Sequence, residues 1–308
     1  MQGRMKILRQ NRPGTGFIVL FGLLIISASA GNARPETLVL VYSHNSNGIL
    51  ENCACPEHSY GALEKRAFII DSLRQIEKNI LLLDTGDILD IWKNTHLHRY
   101  VMRAYKRMNY DYWTPGDQDF VEGVSFFLNE VNRQAGQLLV NNLAYQDKAI
   151  GASWRIEKFK EVSIGLTGTI RSDLMQYLDK AVSREISFLD QISHLQRAVR
   201  YLKKNSDYII LLSHSGIDRD RDIADQFPPI NLIIGGHSQT LLEIPEKHQN
   251  TYIVQVGESG YRLGILKLHF EKQRLQKMEH KVLVLTKARR NDPQVKELIS
   301  EYHQQKKQ

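Results

Sequence analysis

The sequence predicts one α/β domain with mixed β-sheets. Up to about residue 240, short apolar runs typical of buried strands alternate with segments whose apolar residues recur at helical spacing. Beyond that point the pattern becomes all-strand, until a last helical segment. The chain has 308 residues and is 42% hydrophobic, so it can bury a sizeable core.

The alternating part of the chain supplies most of the predicted elements. Strands are predicted at the apolar runs "TLVLVY", "NILLLD", "QLLVNN", "RIEKF", "VSIGLTG", "YIILLS" and "NLIIGG". Helices are predicted where apolar side chains recur on one face, namely Leu63–Ile76, Leu97–Met108, Val121–Ala135 and Leu195–Leu202.

The remaining part adds the strands "TYIVQVG", "RLGILKLHF" and "KVLVLT". A last helix is predicted to start near Asp292-Pro293, because proline favours the first helical position. We find no internal repeat, low-complexity stretch or linker. The predicted organisation is a signal peptide over residues 1–30, one main domain over residues 37–285, and a C-terminal helix and tail over residues 286–308.

The first thirty residues have the pattern of an export signal. A basic segment without acids precedes the apolar run Phe17–Ala30, and Ala28 and Ala30 form an A-x-A cleavage site. We therefore expect a periplasmic or extracellular protein. An uncleaved N-terminal anchor is the alternative, although the apolar run is short for a membrane span. No later stretch is expected to cross a membrane.

The excess of positive charge lies largely in this first segment. Its four cations Arg4, Lys6, Arg9 and Arg12 account for the fall in formal charge from +7 to +3 on cleavage. We find no nucleic-acid-binding motif and expect no nucleic-acid partner.

Several apolar strands end in a small residue followed by a side chain that can bind metal. "LLLDTGD" ends in Asp84 and Asp87, "IILLSHSG" contains His214, and "LIIGGHSQT" contains His237. "WTPGDQDF" places Asp117 after a turn. Because ligands of α/β folds gather beyond the carboxyl ends of strands, these side chains are expected to share one metal site.

The ordered segments "NSN", "GD", "GDQD", "SHSG" and "GGHSQ" resemble the motifs of the calcineurin-like metallophosphoesterases. The family order is D-x-H, G-D, G-N-H-E, an isolated H, then G-H-x-H. The branch most similar is the N-terminal domain of 5′-nucleotidases and UDP-sugar hydrolases, and the resemblance covers residues 37–285. It implies a metallophosphoesterase fold, with two mixed β-sheets packed as a sandwich and flanked by helices. It also implies two metal ions at the strand ends.

Residue by residue, the resemblance implies that one metal position survives. Its ligands would be Asp87, Asp117, His214 and His237, with Asp117 replacing the family's asparagine. Two carboxylates and two imidazoles suit one Zn²⁺, Mn²⁺ or Fe²⁺ ion. The alternative is that no metal binds and these residues form a polar, hydrogen-bonded cluster.

The resemblance implies that the second metal position is lost. Asn45, Asn47 and Gln239 stand where the family has charged or imidazole ligands, and neutral amides bind transition metals poorly. Gln118 and Asp119 occupy the positions of the histidine and glutamate of G-N-H-E. Gln118 cannot exchange protons near neutral pH, which typically costs about 10²–10⁴ in rate. No catalytic residue is therefore assigned.

Cys53 and Cys55 are the only cysteines in the chain. A disulfide across C-x-C would close a very small, strained ring and constrain the unfolded chain little. A redox dithiol or a pair of soft metal ligands is therefore a functional alternative to an incidental disulfide. "LENCACP" resembles the "L-E-P-C-G-C" signature of an exported subgroup of the family.

Two further groups of side chains are predicted to be structural. His96 and His98 are expected at the surface, since residues two apart on a helix point to different faces. Trp92, Trp113 and Trp154 are expected to pack in the core or at its rim.

Three hypotheses about function follow. The first is a divergent, exported, 5′-nucleotidase-like phosphoesterase that hydrolyses phosphate esters at a one-metal site, with a small phosphorylated molecule as ligand. The second is a thiol-redox or metal-handling protein acting through Cys53 and Cys55. The third is a non-catalytic protein that binds a phosphorylated ligand or a protein partner. Full 5′-nucleotidases carry a second domain that stacks the nucleobase, and this chain is expected to end before one, so nucleotide specificity is not implied.

Overall fold

The structure is a computed structural model that describes residues 36–52 and 60–306. The strands in these residues are β1 Glu36–Ser43, β2 Ile80–Asp84, β3 Tyr112–Trp113, β4 Gln137–Leu138, β5 Leu143–Tyr145, β6 Lys148–Ala149, β7 Arg155–Lys158, β8 Ser163–Ile170, β9 Ile186–Phe188, β10 Tyr208–His214, β11 Leu232–Gly235, β12 Glu246–His248, β13 Thr251–Val254, β14 Arg262–Glu271 and β15 Arg274–Val284.

The α-helices of the same residues are α1 Leu63–Ile76, α2 Thr95–Met108, α3 Val124–Phe126, α4 Asn132–Gln134, α5 Lys180–Ser183, α6 Gln191–Asn205, α7 Ile217–Gln226 and α8 Pro293–Lys306. Short 3₁₀ turns cover Asp117–Phe120 and Ser172–Tyr177. The helix predicted over Val121–Ala135 is shorter and interrupted, because a wider π-type turn over Phe127–Val131 joins α3 to α4.

Two six-stranded mixed sheets form the centre of the fold. The first has the order β15-β14-β1-β2-β3-β4, with β1 to β4 parallel and β14 and β15 antiparallel. The second has the order β12-β13-β11-β10-β8-β7, with four parallel strands between two antiparallel edges. A small sheet, β6-β5-β9, completes the strands.

The alternation of side chains along the central strands places both sheets between apolar layers. In β1, Leu38 and Leu40 point into the layer between the two sheets, whereas Val39 points to the helices on the outer face. In β10, Leu212 points between the sheets and Leu211 points outward. Because these strands are buried on both faces, their sequences are continuous apolar runs.

Helices cover the outer faces. Side chains of α1, α2 and α8 pack on the first sheet, and side chains of α6 and α7 pack on the second. The predicted fold class, a sandwich of mixed sheets flanked by helices, is confirmed. None of the helices within the described ranges is long and apolar enough to cross a membrane.

Two predictions about single side chains are wrong. His98 is fully buried, because its imidazole bonds Glu122 and the backbone of the preceding loop. Trp92 is 73% exposed, on the loop between β2 and α2, whereas Trp113 is buried as predicted. The predicted signal peptide and both cysteines lie outside the described residues.

Asp292 attaches α8 to the rest of the domain. Its Oδ1 accepts the backbone N–H of Val295 at 2.9 Å, which caps the helix. Its Oδ2 accepts from Arg107 of α2 at 2.8 Å, and its own N–H donates to the carbonyl of Glu64 at 2.7 Å. This single buried residue thus connects α8 to both α1 and α2.

We predict that Asp292→Ala lowers the free energy of unfolding by about 1–3 kcal/mol, because both the cap and the contact with Arg107 are lost. Urea denaturation followed by circular dichroism measures this loss. Glu297→Ala, at an exposed position of the same helix, is the matched control and should stay within about 0.5 kcal/mol. An equal effect of the two variants would contradict the proposed attachment.

Candidate metal centre

Four side chains gather where the carboxyl ends of the two sheets meet. Asp87 lies in the turn after β2, and Asp117 follows β3 in the same sheet. His214 is the last residue of β10, and His237 follows β11 in the second sheet. One ligand-type atom of each residue lies within 4.8 Å of the others. The structure therefore brings together the four residues that the sequence indicates as metal ligands.

Hydrogen bonding fixes which nitrogen of His214 faces this group. Its Nδ1 lies 2.6 Å from the carbonyl oxygen of Thr85, and a carbonyl only accepts, so Nδ1 carries a proton. Nε2 lies 3.4 Å from Asp87 Oδ1 and 3.5 Å from Asp117 Oδ1. A backbone carbonyl on the far nitrogen is the usual arrangement for an imidazole that binds a metal.

Two buried atoms that face each other in this group, Asp117 Oδ1 and His214 Nε2, have no hydrogen-bond partner among the described residues. His237 Nδ1 also lies 3.5 Å from Asp117 Oδ1. Buried polar atoms are nearly always satisfied by protein, water or an ion. Because two carboxylates and two imidazoles suit a divalent transition metal, this donor set fits one such cation.

Burial and the close charges of the group shift the pKa values of its members in different directions. Burial raises the pKa of Asp87 to about 8, with His214 opposing and Asp117 adding to the rise. Burial lowers the pKa of His214, but the two carboxylates outweigh it and raise that pKa to about 9. For Asp117, burial acts to raise the pKa, yet contacts with the two imidazoles bring it below its usual value. A divalent cation would favour ionised carboxylates and neutral imidazoles together.

Two glycines allow close approach of the backbone. Gly86 has a φ of +86°, and a Cβ there would lie 2.2 Å from the backbone nitrogen of Gly116. A Cβ at Gly116 would lie 2.2 Å from Asp87 Oδ1 and 2.5 Å from His214 Cε1. Any side chain at Gly116 would therefore displace the carboxylate of Asp87.

The carboxylate of Asp119 holds the turn that carries Asp87. Its Oδ1 accepts the N–H groups of Ile88 at 2.8 Å and Leu89 at 3.2 Å. Its Oδ2 accepts those of Asp87 at 3.1 Å and Gly116 at 2.8 Å. Asp87 has a φ of 54°, a left-handed conformation that costs energy outside glycine. Four hydrogen bonds to one carboxylate stabilise that conformation.

A model of the calcineurin-like phosphoesterase family matches residues 44–240, well over half of the chain. The chain belongs to this family. The matched segment contains all four clustered candidate ligands and the turns that carry them.

Curated relatives of this chain include 5′-nucleotidases. One from Diplobatis ommata is 26% identical, over 91% of this chain and 54% of the relative. One from Bos taurus is 24% identical, over 88% of this chain and 53% of the relative. The chain therefore spans about half the length of the curated relatives it matches.

Solved structures show the same fold. A 5′-nucleotidase precursor from Thermus thermophilus superposes with a TM-score of 0.76 at 23% identity, covering 88% of this chain and 59% of that one. The sulfate thiohydrolase SoxB from T. thermophilus superposes with a TM-score of 0.77 at 17% identity, covering 87% of this chain and 60% of that one.

Asn45 follows β1, at the start of the segment that the family model matches, and its amide has a defined orientation. Nε2 of His44 accepts the N–H of Val256 at 2.7 Å, so Nδ1 donates to Asn45 Oδ1 at 2.7 Å. Asn45 Oδ1 also accepts the N–H of His237 at 3.0 Å. Nδ2 of Asn45 consequently points to Asp87 Oδ2, 3.1 Å away. Burial lowers the pKa of His44 to about 4, which keeps its ring neutral.

Gln118 donates to the same oxygen from another element. Its Nε2 lies 3.1 Å from Asp87 Oδ2, and its backbone N–H lies 3.2 Å from Asp87 Oδ1. Asp87 Oδ2 thus accepts two side-chain amides, of Asn45 and Gln118, whereas Oδ1 faces His214. The two amide donors therefore satisfy one of the two oxygens of the Asp87 carboxylate.

The other predicted site residues differ in their surroundings. Asn47 Oδ1 and Gln118 Oε1 are buried and lack a hydrogen-bond partner within the described ranges. Gln239 is exposed, two residues beyond His237, and none of the described hydrogen bonds joins it to the cluster. Cys53 and Cys55 lie outside the described residues.

Sequence reasoning missed a buried polar layer beneath the site. Nη1 of Arg66 donates to Ser46 Oγ and to the hydroxyl of Tyr105, both at 2.9 Å. Asp84 Oδ2 accepts from Ser43 at 2.6 Å, and burial raises the Asp84 pKa to about 7. A signal was present in the sequence, because Arg66 lies three residues after Leu63, on the apolar face of α1.

We predict that Asp119→Asn lowers the free energy of unfolding by about 2–4 kcal/mol. An amide has one accepting oxygen and would point its NH₂ group at backbone donors, which leaves buried N–H groups without partners. Chemical denaturation measures the loss. Asp190→Asn is the matched control, because aspartate and asparagine cap helix α6 equally well. A change within about 0.5 kcal/mol in both variants would show that Asp119 does not hold the turn.

A second prediction concerns the orientation of Asn45. Asn45→Asp removes a donor to Asp87 and places two buried carboxyl groups side by side, so the free energy of unfolding should fall by about 2–4 kcal/mol at pH 8. The pKa of the two neighbouring carboxyl groups is higher in the folded protein than in the unfolded chain, because burial and like charge disfavour their ionisation. The destabilisation therefore grows as the pH rises and shrinks towards pH 5, where the pair keeps a proton.

Urea denaturation at pH 5 and pH 8, in the presence of a chelator, measures this pH dependence. Asn129→Asp, at a hydrogen-bonded but solvent-exposed position, is the control. A loss that does not depend on pH would show that the Asn45 amide does not face Asp87.

Proposed function

We propose that this chain is an exported phosphoric ester hydrolase, similar to 5′-nucleotidases, that works with one divalent metal ion. The proposed ligands are Asp87, Asp117, His214 and His237. The observation that carries the proposal is the pair of buried atoms Asp117 Oδ1 and His214 Nε2, which face each other without hydrogen-bond partners in the described residues. The proposed substrate is a small phosphorylated molecule.

The chain's own residues would prepare the site for this reaction. A bound divalent metal supplies a Lewis acid for the phosphoryl oxygen and lowers the pKa of a bound water. Thr85 holds the His214 ring so that Nε2 faces the site. Asp119 holds the turn, and Asn45 and Gln118 direct Asp87 so that its Oδ1 faces His214.

The two amides also limit the proposed activity. Gln118 can donate a hydrogen bond, but it cannot transfer a proton to a leaving group near neutral pH. Asn45 presents N–H rather than oxygen to the site, so it offers no ligand to a second cation. We therefore propose slow hydrolysis at a reduced, one-metal site. Two carboxylates and two imidazoles favour Zn²⁺, Mn²⁺ or Fe²⁺.

The proposed location is the periplasm or the outside of the cell. It is supported by the basic, then apolar, N-terminal segment that ends in an A-x-A site.

The test is metal content per chain, measured by elemental analysis, together with hydrolysis of p-nitrophenyl phosphate. We expect about one ion per chain in the natural protein and slow hydrolysis that a chelator abolishes. Asp117→Asn should reduce metal affinity by more than about 100-fold, since even partners behind the ligands contribute about 10–100-fold.

Asp222→Asn is the matched control, because this carboxylate is 62% exposed on α7 and does not belong to the cluster of four. Both variants remove one negative charge, and only Asp117→Asn should lose metal. Metal binding without hydrolysis would favour a non-catalytic binding protein. Absence of metal from the natural protein would overturn the proposal and direct attention to Cys53 and Cys55.

A further inference from the structure

A cleft of about 660 Å³ opens directly beside the metal centre. Asp117 and Gln118 line one part of it. The rest of the lining includes Ile91, Trp92 and Tyr177. Its volume falls in the range of small-molecule sites, about 300–1,000 Å³. The cleft is therefore large enough for the organic part of a small phosphate ester.

Exposed apolar side chains are concentrated in this cleft. Ile91 is 56% exposed, Trp92 is 73% exposed and Tyr177 is 66% exposed. Across the described ranges, seven large apolar side chains are exposed, and three of them line this one cleft. Exposed apolar patches beside a polar site indicate a binding surface. Aromatic faces in particular favour planar, aromatic partners.

The loop that carries Trp92 is fixed at both ends. On one side, the N–H of Asp90 donates to His98 Nε2 at 3.3 Å. Nδ1 of His98 therefore carries a proton, which it donates to Glu122 at 2.7 Å. On the other side, Glu122 also accepts the N–H of Asn94 at 2.6 Å. These contacts hold both ends of the loop that exposes Trp92, and a binding loop that is held in place before binding loses less entropy on binding.

We propose that this cleft binds the leaving group of the substrate, and that this group is a planar aromatic ring that stacks on Trp92 and Tyr177. This inference rests on the proposed function, because it places the phosphate at the metal centre beside Asp117 and the ring further along the cleft. It assigns substrate selectivity to two exposed side chains that contribute no ligand to the metal centre.

The first experiment compares two phosphate esters, 1-naphthyl phosphate and glycerol phosphate, in the metal-loaded full-length chain. Alanine substitution of a stacking side chain typically costs about 1–3 kcal/mol, which corresponds to roughly 5–150-fold. The ratio of kcat/KM for the naphthyl ester to that for the glycerol ester should therefore fall by roughly that factor in Trp92→Ala and in Tyr177→Ala. Trp92→Phe should retain most of the ratio, because it keeps an aromatic face.

Ile244→Ala is the control, because Ile244 is 82% exposed and lines a different surface depression. Its ratio should match that of the natural protein. An unchanged ratio in Trp92→Ala and Tyr177→Ala, with both esters hydrolysed, would overturn the cleft assignment and leave the proposed function standing.

A binding measurement separates this inference from the proposed function. Equilibrium dialysis of 1-naphthol, which has no phosphate, requires no hydrolysis. Binding to the natural protein that weakens in Trp92→Ala would support the cleft even if no ester is hydrolysed. Absence of 1-naphthol binding together with absence of hydrolysis would overturn both.

Discussion

The turn after β2 depends on one buried carboxylate. Asp119 accepts hydrogen bonds from four backbone N–H groups, those of Asp87, Ile88, Leu89 and Gly116. It therefore holds the turn after β2 against the turn after β3. A neutral side chain could not accept so many hydrogen bonds. Because of this contact, Asp87 keeps its left-handed backbone, and its side chain reaches the residues of the second sheet.

The two oxygens of Asp87 then serve different purposes. Oδ1 lies 3.4 Å from His214 Nε2, on the side where the imidazoles and Asp117 converge. Oδ2 accepts N–H groups from Asn45 and Gln118. Amide dipoles can stabilise one carboxylate oxygen, but they carry no full charge. The remaining donors therefore form the candidate site for the single cation that we propose.

The loops that complete this site are fixed by buried polar contacts of a similar kind. His44 sets the orientation of Asn45, and Thr85 sets the orientation of His214. His98 and Glu122 hold the loop that exposes Trp92. The residues that set these orientations are His44, Thr85, His98 and Glu122, and none of them is itself a candidate metal ligand.

The sequence by itself determined the alternation of strands and helices, the mixed α/β class and the order of the ligand-type residues. Such features depend on local periodicity and spacing, which a single chain displays directly. Asp87, His214 and His237 follow or end apolar runs in the sequence, and Asp117 follows a turn. The resemblance to the family's ordered motifs then singled out these four residues.

Only the tertiary structure decided the orientation of the Asn45 amide and the position of Arg66 beneath the loop that follows β1. It also decided that His98 is buried and that Trp92 is exposed. These properties depend on partners far away in the chain. The contact from Val256 to His44, for example, joins residues 212 positions apart. Spacing along the sequence gives no information about such contacts, because they form only when the two sheets pack together.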